Sequence, residues 1–174
     1  MAREVEVRRH TDDEDDRLSD EGVAQALEIG RRLRGGYEVV VSTGAQRATQ
    51  TAACFLAALR DTVPKGVVVN AGLRSEREER WKEAYEEAGS GELFAFRSVA
   101  PDFVQEEAER LGSALREVLE TLPEGGRALV VGHSPTNEAA VFGLTGEEVG
   151  PLSKGAGVSV VEEDDTLRVE PLDS

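Results

Sequence analysis

Cysteine is nearly missing from this chain of 174 residues: Cys54 stands alone, which excludes an intrachain disulfide and suits a reducing cytoplasm. Aromatic residues make up only 5% of the chain, so a core has to be assembled from Val, Leu and Ala. Cations are outnumbered, 20 Lys and Arg against 35 Asp and Glu, for a net charge of −15. That sign argues against a nucleic-acid backbone or an anionic membrane surface as the main partner. No apolar run approaches the roughly 18 residues of a membrane span. The opening Met-Ala-Arg-Glu-Val-Glu-Val alternates charge with Val and lacks the apolar stretch of a signal peptide. Only two histidines are present, without a neighbouring Cys or Asp set, so no closed metal site is expected. What remains is the expectation of one soluble cytoplasmic domain over residues 1–174, with 39% hydrophobic residues to fill a single core.

The hydrophobic pattern alternates between two periods. Residues 3–9 read as a strand ending at His10, Val67-Val68-Val69 as a further strand, and the central Val39-Val40-Val41 and Ala128-Leu129-Val130-Val131 as strands apolar on both faces. Ser19 is placed to cap a helix that carries Val23, Ala26, Leu27, Gly30 and Leu33 on one face and stops at Gly35-Gly36. Further helices are expected from about Ala45 to Arg60, over 75–88 with Trp81 and Tyr85 as apolar anchors, and from Pro101 to about Leu122. Ser134 is expected to cap a last helix with Pro135 at its first position, before two strands near 156–161 and 166–170. Strands and helices in this order predict an α/β three-layer sandwich, a mostly parallel central sheet flanked by helices. The acidic blocks at 12–16, 76–87 and 162–165 read as solvated loops or helix faces. The first block also lacks the Gly and distant Glu of a calcium loop.

Three turns share one design, in which an apolar strand ends, a polar turn follows and a helix begins. They are Arg9-His10-Thr11, Ser42-Thr43-Gly44-Ala45-Gln46-Arg47 and Gly132-His133-Ser134. Ligands bind at the carboxyl ends of strands in such sheets, where helix N-termini present free amides to anions. Both histidines of the chain and two arginines fall on these turns, which points to a phosphate site.

These segments resemble the histidine phosphatase (phosphoglycerate mutase-like) superfamily. Arg9-His10-Thr11 is similar to its Arg-His-Gly signature, and Leu18-Ser19-Asp20-Glu21-Gly22 with Gln25-Ala26 to the helix that follows. Ser42 to Ala52 resembles its Ser-x-x-x-Arg-Ala-x-Gln-Thr-Ala segment. Gly132-His133-Ser134-Pro135 resembles its second histidine motif, most of all that of the small bacterial phosphohistidine phosphatases. The resemblance implies a metal-independent phosphatase without cofactor, in which His10 attacks phosphorus and Arg9, Arg47 and a protonated His133 hold the phosphoryl oxygens. Backbone amides near Thr11 and Ser134 are expected to add donors. Its substrate would be a phosphorylated small molecule or a phosphoprotein, with no nucleic acid or membrane as partner.

The general acid is less well marked. The resemblance places it after the third strand, where Glu76 in Leu73-Arg74-Ser75-Glu76 is the nearest match; Glu78, Glu79 and the acids of 12–16 remain open. Two departures stand out. Thr11 replaces the usual Gly, and Asp16 stands where many sugar-phosphate enzymes of the family have Asn, so either that loop points away or the substrate carries a cationic part. The chain is also short for a glycolytic mutase. A reading from another class, a catalytically weak member that only binds phospho-ligands or phosphoproteins, is disfavoured by the complete set Arg9, His10, Arg47 and His133. Neither the oligomeric state nor the substrate follows from the sequence.

Overall fold

The computed structural model describes residues 2–172. Six strands form one sheet: β1 (Arg3–Arg9), β4 (Val39–Ser42), β5 (Val67–Val69), β6 (Arg127–Gly132), β7 (Gly157–Glu163) and β8 (Thr166–Pro171). Their order is β5-β4-β6-β1-β7-β8. The first four run parallel, with Val7 opposite Val130 and Val41 opposite the same residue, while β7 and β8 close one edge in antiparallel sense. A two-stranded ribbon, β2 (Asp13–Glu14) and β3 (Arg17–Leu18), stands apart. The helices are α1 (Asp20–Arg32), α2 (Gln46–Ala58), α3 (Glu78–Ala88), α4 (Leu93–Val99), α5 (Pro101–Glu120) and α6 (Thr136–Thr145).

Strand alternation divides the core into two layers. Val39, Val41, Ala128 and Val130 face one side and join Leu111, Leu115, Leu119 and Val141 of α5 and α6, with Trp81 and Phe96. Val40, Leu129 and Val131 face the other and join Ala26, Ala48, Ala52, Phe55 and Tyr37. This is the expected α/β sandwich, and no described helix is long and apolar enough to cross a membrane. Parallel strands with both faces covered set the carboxyl ends of β1, β4 and β6 side by side. His10, Thr43 and His133 follow those ends directly.

Several local expectations are corrected. Residues 13–18 form the ribbon rather than a loop, and α4 had no counterpart in the sequence reading. The buried stripe of α1 is Gly22, Ala26 and Gly30, with Val23 left exposed. A Cβ on Gly22 would lie 1.9 Å from the Asp12 carbonyl oxygen, so the helix approaches the post-β1 turn as closely as a glycine permits. Ser19 does cap α1, accepting from the Gly22 amide. Ser134 does not cap α6: Pro135 takes the cap position and the Ser134 hydroxyl donates to Glu138 instead.

Candidate active site

His10 and His133 sit edge to face with ring centroids 5.3 Å apart, and both are buried. His10 Nδ1 lies 2.8 Å from the Thr11 carbonyl oxygen. A carbonyl only accepts, so Nδ1 carries the proton and Nε2 keeps its lone pair. Burial holds the His10 pKa below the ordinary histidine value, with Arg47 and Arg9 adding to the shift against the opposing pull of the Thr11 carbonyl and Asp13. His133 Nε2 is 2.8 Å from the Thr43 hydroxyl, while its Nδ1 is buried without a partner. Burial, then Arg47, His10 and Arg74, depress the His133 pKa to about 3. In the free site His133 is therefore neutral, chiefly because it is buried; the expected protonation belongs to the phosphate-bound state.

Arg9 donates through Nη1 to the Leu152 carbonyl at 2.9 Å, and its Nε is buried without a partner. Arg47 lies in the first turn of α2, where Asp16 reaches over from the ribbon. The Asp16 carboxylate is 2.7 Å from Arg47 Nη1 and also accepts from the Gln46 and Arg47 amides, standing in for the side-chain cap that Ala45 lacks. Desolvation works to raise the Asp16 pKa, but these hydrogen bonds and the Arg47 charge outweigh it and hold it low. Asp16 thus points into the site rather than away from it. The Thr11 amide is taken by the Thr51 hydroxyl at 3.2 Å, so it is no free donor, contrary to expectation.

Beside His133 and Arg47 opens a cavity of about 370 Å³, lined on the helical side by Glu78, Glu79, Trp81, Lys82 and Tyr85. Glu76 is exposed and does not line it. The helix begins at Glu78, so the turn before it carries Glu76 elsewhere; Glu78 lines the cavity 3.9 Å from Arg47 Nη2, while Asp13 lies 3.9 Å from His10 Nδ1. Beneath α3, buried Glu107 of α5 accepts from the Ser75 hydroxyl and from Trp81 Nε1 at 2.8 Å, which fixes the start of this helix. Glu107 escaped the sequence reading, and the partners of Thr43 and Asp16, named there only by position, did too, since each acts through a residue distant in the chain. Among the described residues, no three His, Cys, Asp or Glu side chains cluster as metal ligands.

Comparison with known proteins places the chain in a family and supports its fold. The model of the histidine phosphatase superfamily (branch 1) matches residues 3–166. No curated protein is significantly similar in sequence. Among solved structures, a phosphoglycerate mutase from Bacillus anthracis is similar with a TM-score of 0.75 at 16% identity, over 98% of this chain and 92% of the other. A phosphoserine phosphatase from Entamoeba histolytica gives 0.68 at 17%, over 99% and 97%. SixA of Agrobacterium tumefaciens, a candidate phosphohistidine phosphatase, gives 0.54 at 19%, over 98% and 95%.

Proposed function

Because the chain belongs to the histidine phosphatase superfamily, we propose that it is a metal-independent phosphatase acting on phosphomonoesters or protein phosphohistidine through a phosphohistidine on His10. The observation that carries this reading is the bond from His10 Nδ1 to the Thr11 carbonyl. It fixes the tautomer and orients the ring, so that a neutral Nε2 is ready to attack without a separate base. The depressed pKa keeps that nitrogen unprotonated at neutral pH. Arg9 and Arg47 supply the positive charge that a metal would otherwise bring to the phosphoryl oxygens. The buried, unpartnered Nδ1 of His133 becomes a donor once an incoming phosphate raises that ring's proton affinity.

In the first step the His10 Nε2–P bond forms and the P–O bond of an ester, or the P–N bond of a substrate phosphohistidine, breaks, with a proton passing to the leaving oxygen or nitrogen. Glu78 is the best-placed donor, since it shares the cavity with His133 and Arg47. In the second step water attacks the phosphohistidine, its proton returns to the Glu78 carboxylate, and the P–N bond breaks to release phosphate.

Rapid quench with a radiolabelled phosphomonoester should trap acid-labile, alkali-stable label on His10, and His10→Ala should abolish both label and turnover. Label on Ser or Thr would overturn the mechanism. Chelation by EDTA should leave the rate unchanged. For the acid, Glu78→Gln should slow an alkyl phosphate by about 10²–10³-fold with a much smaller effect on p-nitrophenyl phosphate, whose leaving group departs unaided. Glu76→Gln should spare both. Equal losses on the two substrates would make Glu78 a binding residue only.

A further inference from the structure

The phosphate site already contains its own anions. Arg47 is 2.7 Å from Asp16 and 3.9 Å from Glu78, and Arg74 is 3.2 Å from Glu78. Lys154 is 2.9 Å from Asp12 and 3.0 Å from Asp13, the latter beside His10. Of these cations only Arg9 is bonded to a carbonyl rather than a carboxylate. Both histidines are pushed toward neutrality. A phosphate dianion therefore enters a site whose positive charge is largely matched, on a chain of net charge −15. An ester that brings a cation of its own meets less repulsion.

The cavity has a place for that cation. It is lined by Arg47 and His133 of the phosphate site and by Trp81 and Tyr85, one helical turn apart, with Glu78 and Glu79. Tyr85 is 55% exposed, although it was the expected apolar anchor of its helix. Among the described residues Glu79 makes no ion pair. Lys82 shares the rim, and because Glu78 is engaged by Arg74 and Arg47, Glu79 is the carboxylate of the lining left for a cation. Aromatic faces beside carboxylates attract alkylammonium groups, and quaternary ones most distinctively, because they are weakly hydrated and cannot satisfy a neutral polar pocket. A volume of about 370 Å³ accommodates a phosphate joined to a short aminoalkyl chain.

We propose that this cavity selects phosphomonoesters whose leaving group carries a positively charged nitrogen, the ammonium resting against Tyr85 beside Glu79 while the phosphoryl group meets Arg47 and His133. The proposal rests on the phosphatase reading above and adds the substrate class. The test compares phosphocholine with its carbon isostere, in which a tert-butyl group replaces the trimethylammonium, and uses p-nitrophenyl phosphate as a reference. The wild type should favour phosphocholine over the isostere by about tenfold or more in kcat/KM. Glu79→Gln and Tyr85→Leu should each cut that ratio by about threefold or more. Equal use of the two esters, or a ratio that neither substitution moves, overturns the substrate class while p-nitrophenyl phosphate turnover keeps the phosphatase reading. If no ester is hydrolysed and His10 takes no label, both fall together.

Discussion

His133 makes a cost of the same burial that shapes the site. Its pKa is about 3 in the folded protein against roughly 6.5 in an unfolded chain. Below the unfolded value the unfolded state binds more protons, so stability is untouched above about pH 6.5 and drains away as the pH falls toward the folded value. Burial lowers His10 in the same direction. Replacing His133 by Asn removes one of these liabilities. Between about pH 7 and about pH 4 the wild type should lose about 3 kcal/mol more unfolding free energy than His133→Asn, measured by urea titration at each pH. Equal losses would mean that His133 is protonated in the native protein. The sequence located this residue, because a lone histidine at the end of an apolar strand is a conspicuous break in pattern. Its charge was not legible there, since desolvation depends on Arg47 and Thr43 reaching it from another strand end. Glu76 and Glu78 show the same boundary: in a charged run, which carboxylate lines the cavity depends on where α3 begins, and that is set by Glu107 holding Ser75 and Trp81.

Helices α5 and α6 meet through glycine. A Cβ on Gly143 would lie 1.8 Å from the Ala108 carbonyl oxygen, and one on Gly112 would lie 2.8 Å from the Gly143 carbonyl carbon. The two backbones therefore touch, and no side chain at either position can be absorbed by a rotamer change. Helix α6 begins three residues after His133, whose carbonyl accepts from the Asn137 amide at 2.7 Å, so the crossing also fixes the second histidine. Gly143→Ala should cost about 3 kcal/mol or more in urea unfolding and lower kcat/KM together with stability. A variant of unchanged midpoint would show that the helices can slide apart freely. The sheet strands and the long helices were legible because runs of Val, Ala and Leu keep one period over a whole element. Helix α4 was not, being a short segment that opens at Glu92 without a side-chain cap. Nor was the ribbon at 13–18, whose polar residues are held by distant groups: the Leu18 amide donates to the Gln50 side chain at 2.8 Å, and Asp16 grips the start of α2.

At the scale of the whole molecule, the net charge of −15 surrounds a site meant to admit a dianion. Two electrostatic effects of opposite sign compete there. Local attraction by arginine falls with added salt, as does long-range repulsion by the acidic surface, and their balance decides how the rate responds. The local attraction is already answered inside the protein, since the guanidinium of Arg47 lies against Asp16 and Glu78. The repulsion has no such answer, and it reaches about 30 Å at 0.01 M ionic strength but only about 8 Å at 0.15 M. Salt should therefore release the substrate's approach more than it weakens the final contact. We expect kcat/KM for p-nitrophenyl phosphate to rise several-fold over that range through a lower KM, with kcat little changed because the bound state lies inside the screened shell. Phosphocholine, carrying one unit less net negative charge, should show a smaller rise in the same titration. A fall of kcat/KM with salt for the simple aryl phosphate would mean that the arginines, and not the acidic surface, govern the encounter.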